Sequence, residues 1–134
     1  MFKHHEMRKS AYEGVEIDVF EILPAKKMLN TAVHYGGYEY YDNKLYTKAE
    51  QFRIDEDFFD EFHNVKFSWD DKYYKLWLDD SPIFIIPVSV SGGVCLEDAY
   101  VLISAEFGKW GGDLDLDLLP SYMYVDYVKV YEKL

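Results

Sequence analysis

Between Val15 and Val19, apolar and acidic residues alternate, with Glu16 and Asp18 interleaved among Val15, Ile17 and Val19. A period of two suits a strand with one face for a core and one for carboxylates, whereas a helix would scatter the same residues around its surface. Glu21 completes the run Glu16-Ile17-Asp18-Val19-Phe20-Glu21 and puts three carboxylates in one short segment. An ionised carboxylate removed from water without a partner costs many kcal/mol, so these groups must face solvent, a cation or a bound molecule. On a regular strand Glu16 and Asp18 point one way and Glu21 the other, into the core. A one-residue β-bulge near Val19 or Phe20 reverses that parity and returns Glu21 to the acidic face. The sequence therefore predicts a bulge. Three neighbouring like charges cannot all ionise freely, so at least one pKa is expected to rise and the titrations to couple. The plain alternative is a solvated acidic edge strand, and the clean apolar alternation on the opposite face weighs against it.

The rest of the chain reads as short β segments separated by turns. Leu29 to Tyr35 is a candidate strand ended by Gly36-Gly37, and Lys44 to Ile54 is another after an Asp42-Asn43 turn. Residues 55–61 are too acidic and short for a strand and suggest a turn of helix. His63, Val65, Phe67 and Trp69 then alternate up to an Asp70-Asp71-Lys72 turn, and Tyr74, Leu76 and Leu78 alternate on the return, which predicts a hairpin. Ile83 to Val88, interrupted by Pro87, Tyr100 to Phe107 and Tyr122 to Tyr131 are the remaining candidates. Strands this numerous, with turn signals every ten residues or so, predict an all-β antiparallel sandwich. At 134 residues this is one domain. With 13 Tyr, 9 Phe and 3 Trp the chain is rich in the flat rings that favour strands and stack on sugars.

A formal net charge of −11 argues against a nucleic acid partner, since a polyanion is bound by Lys and Arg displacing its counterions. A neutral polysaccharide makes no such demand. No segment approaches a membrane span, and Met1 to Lys9 contains no apolar stretch of signal-peptide length, so the chain carries no address. The single cysteine, Cys95, excludes an internal disulfide and reads as a small buried residue. His4 and His5, adjacent on an extended segment, point apart and read as a solvated terminus.

Neighbouring carboxyls with opposed tasks, one a nucleophile and one a proton donor about 5–5.5 Å away, are what glycosidic cleavage with retention needs. The pattern Glu-x-Asp-x-x-Glu in Gly14 to Glu21 resembles the active-site strand of glycoside hydrolase family 16, the laminarinase and β-glucanase-like enzymes. Asn30-Thr31-Ala32-Val33-His34-Tyr35 is similar to that family's histidine-bearing strand, and Phe62 to Trp69 to its "His…Glu-Trp" strand. Lys75-Leu76-Trp77-Leu78-Asp79 resembles the "Trp-Tyr-Val-Asp-Gly" turn, with Asp80 where glycine is usual, and Met123 to Tyr131 resembles the C-terminal strand. The resemblance implies a concanavalin-like β-jelly roll truncated on its N-terminal side, with residues 1–13 as an extension and 14–134 as a partial domain. It implies Glu16 as nucleophile, Glu21 as general acid/base, Asp18 hydrogen-bonded to the nucleophile, and His34 close to the acid/base. The implied reaction is retaining, endo-acting hydrolysis by double displacement, with β-1,3-glucan as first choice of substrate and a β-galactan as second. A non-catalytic carbohydrate-binding remnant, or an inactive fragment, is the alternative.

Other residues are weaker candidates. Glu106 and the loop residue Trp110 are expected at the substrate, although a rim ion pair and packing under the loop explain them about as well. His63 reads as a satisfied core histidine beside Val65, Phe67 and Trp69. Asp113, Asp115 and Asp117 lack the glycine and glutamate of a calcium loop and read as a solvated strand edge. No cofactor is required, and by resemblance Asp126 leaves room for a structural calcium. A sandwich short of strands exposes sheet edges, so a homo-oligomer that completes the sandwich is expected. A longer family member would be secreted or periplasmic.

Overall fold

The computed structural model describes residues 2–3, 14–35, 46–96 and 98–132. It is all-β, with two antiparallel sheets as the layers of a sandwich. The first sheet runs in the order β4-β3-β2-β1-β8, where β1 is Phe2–Lys3, β2 Glu16–Leu23, β3 Met28–Tyr35, β4 Tyr46–Arg53 and β8 Tyr100–Val101. The second runs β5-β6-β7, comprising Val65–Trp69, Tyr73–Leu78 and Ser81–Pro87. Among the described residues no helix is long and apolar enough to cross a membrane.

The core lies between the layers. Ile17 and Val33 from the first sheet, with Val15 just before β2, meet Tyr74, Leu76, Phe84 and Ile86 from the second, with Cys95 beside them. Each comes from the apolar parity of its strand, so the alternation in sequence is the alternation in burial. Tyr74 is fully buried, and its hydroxyl is satisfied twice: it donates to the Gly93 carbonyl at 3.1 Å and accepts the Cys95 amide at 3.2 Å. A buried phenol without such partners would be costly. Here it fastens the 93–95 segment to the sheet.

The β5–β6 hairpin forms as expected around Asp70, whose carboxylate accepts the amides of Lys72 and Tyr73 at 2.8 Å each and is held down to about 2 by them. The β6–β7 turn has Asp79 and Asp80 both at positive φ, 47° and 65°, which explains why glycine suits the second position. Residues 56–59 form a short 3-10 turn, in line with the expectation for 55–61.

Four expectations need correction. Of Tyr100 to Phe107 only Tyr100–Val101 is a strand, paired with β1, and Tyr122 to Tyr131 is not a strand. An alternating sequence becomes a strand only beside a neighbour that exchanges backbone hydrogen bonds, and among the described residues none lies alongside 122–131. Asp113, Asp115 and Asp117 form no strand edge, because Asp115 instead caps a 3-10 turn, Leu116–Leu118, by accepting the Asp117 amide at 3.0 Å. His63 precedes β5 and does not share its apolar face. Its Nδ1 meets Asp79 Oδ2 at 2.7 Å, its Nε2 donates to the Phe58 carbonyl at 2.8 Å, and its ring stacks on Phe58. His4, His5 and Gly36-Gly37 lie outside the described residues.

Candidate active site

Glu16, Asp18 and Glu21 converge because β2 is bulged. Its register against β3 pairs Asp18 with Ala32 and then Glu21 with Asn30, so Val19 and Phe20 together oppose Thr31. The extra residue restores Glu21 to the acidic face at the position the parity argument requires. Thr31, buried on the inner face, donates its hydroxyl to the Asp18 carbonyl at 3.0 Å and so satisfies a backbone acceptor at the irregular point of the ladder.

The register of β2, β3 and β4 arranges the site in three transverse rows. Glu16, His34 and Thr47 form one, Asp18, Ala32 and Ala49 the next, and Glu21, Asn30 and Gln51 the third. The middle row carries the two smallest side chains, which makes a trough between polar margins. Together with Trp110 these nine residues line a cavity of about 350 Å³. Among the described residues its only basic side chain is His34.

Trp110 reaches the site from a loop that rides on the β2–β3 connection. Lys26 Nζ donates to the Trp110 carbonyl at 2.6 Å and lies 4.3 Å from the centre of the indole ring. Gly112, at φ +110°, packs so closely that a Cβ there would sit 2.5 Å from that of Ala25. The indole remains about half exposed, as a stacking platform must.

Asp18 is nearly fully buried. Its Oδ2 accepts from His34 Nε2 at 3.0 Å, while its Oδ1 receives no hydrogen bond among the described residues and is free for a donor brought by a ligand or by a protonated neighbour. His34 Nδ1 lies 2.7 Å from Thr47 Oγ1. The hydrogen bond to Asp18 raises the His34 pKa, with the Glu16 and Glu21 charges adding to it. Glu21 is half-buried, and burial pushes its carboxyl up; Asn30, donating Nδ2 to Oε2 at 2.5 Å, opposes the rise, and the Asp18 and Glu16 charges reinforce it. One raised carboxyl beside two others is an arrangement able to separate proton donor from nucleophile.

Of the residues singled out in the sequence, Glu16, Asp18, Glu21, His34 and Trp110 come together in the cavity. His34 contacts Asp18 directly, and the direct partner of Glu21 is Asn30. Glu106 and Asp126 are exposed and do not line the cavity. Among the described residues no three His, Cys, Asp or Glu side chains gather as a metal site. Asn30, Thr47 and Gln51 were not singled out, although Asn30 shares a strand parity with His34.

An antiparallel β-sandwich with three carboxylates on a bulged strand, facing a trough walled by an aromatic ring, is the architecture of a β-sandwich glycoside hydrolase. The sequence matches the profile of Glycosyl hydrolases family 16 over residues 5–127, and the chain belongs to that family. The match begins upstream of Gly14, where the sequence resemblance starts. No curated protein and no solved structure matches the chain.

Proposed function

We propose that the chain hydrolyses the internal β-linkages of a neutral polysaccharide with retention of configuration, β-1,3-glucan first and a β-galactan second. The observation that carries this reading is the bulge that turns Glu16, Asp18 and Glu21 to one surface. Glu16 is the nucleophile that forms a covalent glycosyl-enzyme. Glu21 protonates the departing oxygen and then, as a carboxylate, takes the proton of the incoming water. Its raised pKa supports the acid step. Asp18, fixed by His34, accepts a sugar hydroxyl through Oδ1, or hydrogen-bonds to the nucleophile when one proton is held between the two carboxyls. The described lining holds three carboxylates and neither Lys nor Arg, which favours an uncharged chain over a sulfated or uronic one.

Release of reducing ends from laminarin and from agarose, compared between the wild-type protein and Glu16→Gln, tests this. The variant is expected to lose about three orders of magnitude or more. Equal rates would overturn the catalytic reading. A second reading, a carbohydrate-binding remnant without turnover, is favoured by the exposed 101–132 segment, and binding of both proteins to laminarin without release of ends would establish it.

The proposal includes a homo-oligomer. Its ground is the segment 122–131, where Tyr122, Tyr124, Tyr127, Val130 and Tyr131 are all at least half exposed. A strand-like segment with apolar residues at both parities needs a neighbour, and a second copy of the chain supplies one.

A further inference from the structure

Asn30 is a buried amide directly opposite Glu21 in the ladder, one step past the bulge. A carboxylate only accepts hydrogen bonds, so the amide presents Nδ2 and not its oxygen to Glu21. The contact, at 2.5 Å, is to Oε2 alone. We propose that Asn30 is the positioning residue of the proton donor: by occupying Oε2 it confines the exchangeable proton of Glu21 to Oε1 and fixes the carboxyl plane against the trough. This rests on the reading of Glu21 as general acid/base.

The two roles of Glu21 make opposite demands, since it must hold a proton before the first displacement and be a carboxylate before the second. Burial favours the protonated form, as do the charges of Asp18 and Glu16 on the same strand. His34 and Asn30, both on β3, favour the carboxylate. β4 contributes the uncharged Thr47, Ala49 and Gln51, and the facing loop contributes Trp110. Among the described residues Asn30 is therefore the one neutral donor that offsets the rise without adding a charge to the cavity, and it does so in both half-reactions.

The test is a pH titration of the Glu21 side-chain carboxyl by ¹³C NMR in the full chain, the signal being assigned by its loss in Glu21→Gln. In Asn30→Ala the midpoint is expected to move up. In Asn30→Asp, which keeps the side chain's shape and covers the event that the alanine variant does not fold, it is expected to move up further. On laminarin the alkaline limb of the rate profile should follow the midpoint, and kcat should fall roughly ten- to a hundredfold with KM little changed. A Glu21 midpoint unmoved in both variants overturns the inference, as does a fall in KM-linked binding with kcat intact. A wild-type protein without turnover would sink the proposed function separately, leaving the midpoints to decide whether Asn30 governs Glu21.

Discussion

His34 shows how a single side chain couples the site to pH. With Asp18 Oδ2 on one nitrogen and Thr47 Oγ1 on the other, the doubly protonated ring can donate to both. Its folded pKa is raised above the ordinary 6.5, so its contribution to stability is complete below that value and is lost as pH rises through the folded pKa. Glu21, also raised, acts in the same direction from 4.5 upward. The thermal midpoint of the wild-type protein is therefore expected to fall as pH rises above about 6.5, and that of His34→Gln to fall less steeply. Scanning calorimetry of the two proteins checks this. His63, whose pKa Asp79 also raises, is common to both and cancels in the comparison. Parallel profiles would assign the pH dependence elsewhere.

At the scale of the element, the bulged β2 and its support from β3 decide whether there is a site at all. Thr31→Val keeps the side chain's shape but removes the hydroxyl from the Asp18 carbonyl, leaving a buried acceptor without its donor. A loss of about 1–3 kcal/mol in urea unfolding is expected, with a fall in glycan hydrolysis because Asp18 and Glu21 flank the released segment. An unchanged unfolding midpoint would mean that Thr31 does not hold the bulge. The bulge itself was legible in the sequence, because a carboxylate at the wrong parity has a large and one-sided cost. The β5–β6 hairpin was legible for a similar reason, with alternation on both arms and an aspartate at the turn. Asn30, Thr47 and Gln51 were not, since their place beside the acids depends on the register of β3 and β4, which neither strand encodes alone. The segments 100–107 and 122–131 have strand-like sequences, yet pairing is a property of two segments, and only Tyr100–Val101 finds a partner among the described residues.

For the whole molecule, the exposed segment and the open edges of the three-stranded sheet predict association. Light scattering across a concentration series is expected to give the mass of two or more chains. Each copy carries a formal charge of −11, so added salt should tighten the assembly by screening their repulsion. A single-chain mass at every concentration would count against it. Shortening the chain before Tyr122 should abolish association while leaving β2, β3 and β4 in place, since none of their ladder partners lies in the removed segment.

Nine of the ten residues lining the cavity fall between Glu16 and Gln51, on three strands consecutive in the chain and joined in order. The floor of the trough is thus encoded in one short stretch of coding sequence, and recombination that moves the stretch moves the acids, their histidine and their amide as a unit. Among the described residues only Trp110 comes from elsewhere. A change in that loop would then alter one wall of the trough and leave its floor untouched.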